Sequence, residues 1–189
     1  MDTALAGGFW EAALIWGVVA AALLWLLART VRRPALERVR WAVPVAAALF
    51  WGIFATVLVY GMWASYYEYF YSTRLRLIIP LYAPLLYAVV GTFLWWAARR
   101  LPGNPAVTFC LLGGLESLAE HLIAIYALDI LERVPLLQGS DPLAVLAFAF
   151  PEYVVYWGIV LALAAILARF WTYLQSRRGE ENVNAAKEK

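Results

Sequence analysis

The amino-acid sequence reads as an all-α integral membrane protein, a bundle of about five transmembrane helices with its N-terminus outside and its C-terminus in the cytoplasm. Three observations lead there. The 189 residues are 65% hydrophobic and 15% charged, with a mean hydropathy of +0.71, whereas soluble domains are about half apolar and about a quarter charged. The charges cluster between apolar runs of the roughly 20 residues that cross a bilayer. The Lys and Arg residues, finally, concentrate on alternate connections.

The first apolar run covers about 8–28, with Glu11 near its start. The second covers about 41–67 and carries no charge. The third covers about 77–98, and the fourth, about 106–128, contains Glu116, Glu120 and His121. The fifth lies within 142–174, with a break or kink expected near Pro151. As one helix that segment is roughly 50 Å long at 1.5 Å per residue, more than the hydrocarbon core. Residues 143–150 are therefore expected to form a short interfacial or re-entrant helix, or the outer arm of a kinked, tilted span. Strands of a membrane barrel would alternate polar and apolar residues, and no segment does so. Residues 1–178 thus read as a single transmembrane domain, and the polar stretch 179–189 as a disordered cytoplasmic tail.

Orientation follows from the basic residues. Arg29, Arg32, Arg33, Arg38, Arg40, Arg99, Arg100, Arg169, Arg177, Arg178, Lys187 and Lys189 fall on one side, and Arg74, Arg76 and Arg133 on the other. Twelve against three is a strong positive-inside signal. Asp2 precedes the first apolar run and the arginines follow it, the reverse of a cleaved signal peptide. Trp25, Trp41, Trp95, Trp96 and Trp171 are expected at the inner interface, and Trp10 and Trp63 at the outer one, as aromatic belts. Pro102-Gly103-Asn104-Pro105 marks a tight inner turn. Asp141-Pro142 reads as a helix start. These readings place the chain in a cell membrane as a multi-pass protein whose first partner is lipid.

Several function classes fall away. A net charge of +2 is too small to suggest nucleic acid. Cys110 is the only cysteine, so no intramolecular disulfide or thiolate cluster forms. No P-loop, dinucleotide fingerprint, HExxH or Gly-x-Ser-x-Gly motif occurs. A single histidine excludes bis-histidine haem ligation within the chain and departs from the paired Glu-x-x-His pattern of di-iron bundles. No internal repeat supports an inverted-repeat transporter.

The fourth run is where chemistry is expected. Glu116 and Glu120 are four apart and share a helix face. His121 lies about 100° around from Glu120, with Ser117 one turn below. Counted from Leu128, Glu116 is roughly 18 Å deep, and Glu120 and His121 roughly 10–12 Å deep. No Lys or Arg occupies the middle of any span. Two carboxylates at that depth must be neutralised, because an uncompensated charge in a lipid-exposed helix centre costs several kcal/mol. A shared proton, a metal ion, water or a cationic ligand meets that need.

Glu11, Glu68 and Glu152 reach the same outer half of the membrane. Each also has a plainer role: Glu11 and Glu152 as helix-start carboxylates, Glu68 as a surface partner of Arg74 or Arg76. A stripe of Gly61, Ala64, Ser65, Glu68 and Ser72 suits close helix packing. Tyrosines 60, 66, 67, 69 and 71 crowd around Glu68, and Tyr67 and Trp63 are candidate pocket-lining residues or simply belt aromatics.

Three functions follow as expectations. The first is an outward-facing site of Glu116, Glu120, His121, Glu68 and Glu152 that binds or transports a proton or a divalent metal ion, since carboxylates and imidazole suit such metals. The second is a membrane-embedded enzyme acting on a lipid, quinone or isoprenoid-like substrate, with Glu116, Glu120 and His121 in acid–base roles. The third is an accessory subunit whose polar residues bond to a partner membrane subunit. A homo-oligomer is compatible with each.

Overall fold

The computed structural model describes the backbone of residues 3–31, 37–60, 68–69, 73–127, 131–133 and 142–187, and the side chains of 10–31, 37–54, 82–123, 125–127 and 142–178. Tyr67, Trp63 and most of the small-residue stripe lie outside the described residues, and Glu68 is described in its backbone alone.

Five helices account for almost all of the described chain: α1 (Thr3–Thr30), α2 (Ala42–Tyr60), α3 (Thr73–Ala98), α4 (Pro105–Leu122) and α5 (Pro142–Lys187). The residues Ile123–Ala127 continue α4 as a wider π-helical turn. Two short extended segments, β1 (Glu68–Tyr69) and β2 (Leu131–Arg133), pair antiparallel, with Glu68 opposite Arg133. This tie joins the α2–α3 and α4–α5 connections. The side chains of Glu68, Arg74 and Arg76, expected to pair at the surface, lie outside the described residues.

Helices α2, α3, α4 and α5 pack in that order around a common core, with α5 returning against α2. Helix α1 lies outside this ring, against α5 and α4. Close approach is made possible by small residues. Ala42, Val43, Ala46 and Ala47 form a fully buried face on α2, and Ala47 sits against Gly91 of α3. Gly52 lets Pro84 approach. The Gly113 position on α4 is filled by the Trp157 indole, so that a Cβ there would overlap the ring.

One end of the bundle is basic. Its anchor is Asn104, whose extended backbone (φ −82°, ψ 117°) makes it the N-cap of α4, with Pro105 in the first helical position. Its side-chain oxygen accepts from the Ala106 amide at 2.9 Å, and its amide nitrogen donates to the Leu27 and Val31 carbonyls of α1 at 3.3 and 3.0 Å. One side chain thus satisfies the orphan groups of two helix ends. Gly103 supplies the positive φ (102°) that the turn before it requires. At the same end Arg99 pairs with Glu37 at 2.9 Å, Arg100 lies over Trp96, and Trp41 meets Trp171 edge-on at 5.9 Å.

One expectation narrows and two change. Helix α5 runs through Pro151 without a re-entrant break, which leaves the single continuous span of the two alternatives. Proline removes a single backbone bond, and the flanking Val145, Phe148, Ala149, Val154 and Trp157 are all buried and hold both sides in register. The same helix continues past Leu174 to Lys187, over the stretch expected to be disordered; Arg177 and Glu181 there have the i,i+4 spacing that supports a helix. Trp95 is no belt residue: it is buried against Phe109, while Trp25, Trp41, Trp96 and Trp171 are exposed.

Among the described residues, three helices are long and apolar enough to cross a membrane: Trp10–Thr30, Pro105–Ala127 and Pro142–Arg178. Ala42–Phe54 and Tyr82–Ala98 are shorter apolar helices.

Candidate functional site

Helix α4 turns Glu116, Ser117, Glu120 and His121 toward its neighbours in the ring. Ser117 is fully buried and His121 nearly so, while Glu116 and Glu120 are half-buried. The hydrogen bonds around them have a fixed direction. The Trp157 indole N–H has no acceptor, so it donates to Ser117 Oγ, at 3.3 Å. That leaves the one hydroxyl hydrogen of Ser117 for Glu116 Oε2, at 3.1 Å. From α3, Tyr87 donates its hydroxyl to Glu120 Oε2 at 2.8 Å. Glu116 and Glu120 stand one helical turn apart on the same face of α4. Ionised carboxylates only accept. A bond between these two therefore requires one hydrogen that no other side chain supplies.

His121 is set by a second chain of contacts. Its Nδ1 lies 2.9 Å from the Ser117 carbonyl oxygen. A carbonyl can only accept, so Nδ1 carries the hydrogen. In the neutral ring this leaves the Nε2 lone pair facing the Tyr153 hydroxyl, 3.4 Å away. Tyr153 also packs edge-on against the imidazole, with ring centres 5.0 Å apart.

Glu152 faces elsewhere. It is 7% exposed and accepts from the Tyr156 hydroxyl at 2.7 Å. Tyr156 in turn meets Trp16 of α1 edge-on at 5.7 Å and the Phe50, Trp51 and Phe54 rings of α2, so the Glu152–Tyr156 pair packs where α1 and α2 approach α5. Between the two acidic groups stand aromatic rings. Trp51 of α2 stacks on Tyr87 at 4.4 Å and on Tyr153 at 5.6 Å, and meets Tyr156 edge-on at 6.0 Å. Trp51 is 3% exposed, and its indole N–H has no hydrogen-bond partner. Stacking on two tyrosines holds the ring in place despite the 1–3 kcal/mol that an unpaired buried donor costs (about).

The expected site is thus brought together in part. Glu116, Glu120 and His121 share one stretch of α4, but His121 is turned to Ser117 and Tyr153, and Glu152 to Tyr156. Among the described residues no group of three or more His, Cys, Asp or Glu side chains is placed to hold a metal ion. Glu11 stands exposed on α1.

The sequence reading passed over Trp51, Tyr87, Tyr153, Tyr156 and Trp157. A signal existed for four of them. Glu152, Tyr153, Tyr156 and Trp157 have the i, i+1, i+4, i+5 spacing of one helix face. Tyr87 shares a face with Ala83, Gly91, Leu94 and Ala98, all buried, and that periodicity marks the inner side of α3. The chain matches no known family model, no curated protein and no solved structure.

Proposed function

We propose that this chain is an integral membrane protein of five spans, N-terminus outside, that binds a proton at the Glu116–Glu120 pair in the outer half of the bilayer. The observation that carries the reading is the directed set of donors around the pair. Ser117 and Tyr87 each give a hydrogen to one carboxyl, the two acids are one helical turn apart, and among the described residues no basic side chain pairs with either. A proton fits that arrangement. A divalent metal ion fits less well, because among the described residues no third acidic or imidazole ligand joins the pair.

The surroundings support the membrane part of this reading. Leu14, Ile15, Val18, Ile53, Leu85, Val89, Phe93, Leu115 and Ile166 all stand exposed, far more apolar surface than a water-soluble monomer displays. The basic end suits the cytoplasmic side.

Infrared spectroscopy of the protein in lipid at neutral pH tests the reading. A protonated-carboxyl band is expected, and Glu116→Gln and Glu120→Gln should each remove or displace it. An unchanged set of carboxyl bands in both variants, or stoichiometric metal in the wild type that both variants lose, overturns it.

A further inference from the structure

We propose that the basic end of the bundle holds an anionic phospholipid of the inner leaflet, its phosphate on Arg40 and Arg100 and its acyl chains along the outer faces of α2 and α3. The inference rests on the membrane part of the proposed function and makes no use of the acid pair.

The headgroup side is built from one turn and one helix end. Residues 37–41 form a tight turn into α2, with the Arg40 and Ala42 amides bonded back to the Glu37 and Val39 carbonyls. The turn buries Val39 and leaves Arg38 and Arg40 exposed. The Glu37–Arg99 ion pair, at 2.9 Å, fastens this turn to the end of α3. It also occupies the one acid of the neighbourhood. Arg38, Arg40 and Arg100 stand exposed around it, and among the described residues no acidic side chain pairs with them. Arg100 is held in a fixed plane. Its guanidinium lies 3.9 Å from the centre of the Trp96 ring and donates one N–H to the Trp96 carbonyl at 3.3 Å. A guanidinium has five N–H donors, so others remain for an anion. Its fork matches a phosphate through two parallel bonds.

The acyl side begins at the same residues. Trp96 is half-exposed and stacks on the exposed Phe93 at 5.8 Å. Val89 and Leu85 continue the exposed row along α3. On α2 the row is Trp41, Val45, Leu49 and Ile53, every fourth residue, and it starts beside Arg40. The two helices touch at Ala47–Gly91 and Gly52–Pro84, so the rows stand on neighbouring helices. From Trp41 to Ile53 the row is about 18 Å long at 1.5 Å per residue, close to one leaflet of a hydrocarbon core about 30 Å thick. A soluble anion would engage the arginines and ignore the rows. A neutral lipid would cover the rows and ignore the arginines. An anionic phospholipid uses both.

The experiment is native mass spectrometry of the full chain in detergent, titrated with phosphatidylglycerol or with phosphatidylcholine of the same acyl chains. The wild type should bind phosphatidylglycerol at least tenfold more tightly, and the preference should shrink as ionic strength rises. Arg40→Gln and Arg100→Gln should each weaken phosphatidylglycerol binding about fivefold, the worth of one basic residue near an anionic lipid surface, and leave phosphatidylcholine binding unchanged. Arg177→Gln is the control. It removes the same charge from an arginine that also lies over an aromatic ring, Tyr173, about 9 Å farther along α5 than the Trp171 that meets Trp41. Its effect should stay under about twofold. Equal affinity of the wild type for the two lipids overturns the site, as does an equal loss in all three variants, which is the mark of net charge alone. Displacement of phosphatidylglycerol by millimolar inorganic phosphate overturns the lipid assignment in favour of a soluble anion. A chain that stays folded and monomeric in plain buffer and binds neither lipid overturns the membrane reading instead. The infrared test of Glu116 and Glu120 uses other residues and another signal, so the two failures are separable.

Discussion

Asn104 and Glu116 lie twelve residues apart along one helix and face the same difficulty, a polar group among apolar neighbours. At the basic end Asn104 meets three backbone groups, and Glu37 meets Arg99. Both lie at the basic end of the bundle. Farther along α4, Glu116 and Glu120 have one hydroxyl donor each. The contrast teaches that partner chemistry, more than residue type, separates scaffold from site. Groups satisfied within the chain hold helices together; the proposed proton site is where such partners run out.

The largest effect expected from disturbing this contrast lies in the middle. Gly113→Val pushes a branched side chain into the Trp157 indole, which anchors the ring and the Ser117 bond together. Unfolding in detergent should show a loss of about 3 kcal/mol, the upper end for overpacking a tight core. A milder loss would mean that Trp157 has room to turn, and that the hydrogen-bond directions at Ser117 are less firmly set. At the basic end Asn104→Ala removes a helix cap and two bonds to α1, and should cost about 1–2 kcal/mol by the same measurement. Replacing the exposed acid in Glu37→Ala should change stability by less than about 1 kcal/mol, because a solvent-screened surface pair contributes little. If Glu37→Ala proved as damaging as Asn104→Ala, the rim would be more tightly organised than its exposure indicates.

How much of this was legible in the sequence depended on the range of each interaction. The cap at Asn104-Pro105 and the shared face of Glu116 and Glu120 are local, and residue spacing exposes them. Among the described residues, each of the five apolar runs contributes to a helix. Pro151 leaves both a re-entrant arm and a kinked span open in the sequence, because the packing on its two sides is something no window of sequence displays. Trp95 misleads for a related reason: a tryptophan near a helix end serves a belt or a core depending on which way its face turns. The donor to Glu120 comes from Tyr87, 33 residues earlier, and the split between Glu152 and the α4 acids depends on how α5 is rotated. Those are tertiary facts. The tyrosines singled out around Glu68 drew attention because they are clustered, while the ones that touch the acids are spaced at helical intervals and blend into apolar runs.

A double-mutant cycle on Glu116→Gln and Glu120→Gln, read from reversible unfolding in bicelles, asks whether the two carboxyls act as one unit. If they share a hydrogen, the effects are strongly non-additive, with a coupling of about 1 kcal/mol or more, as contacting groups in one network show. Additivity to within about 0.5 kcal/mol, the behaviour of independent sites, would mean that the carboxyls ignore each other and that no proton is held between them.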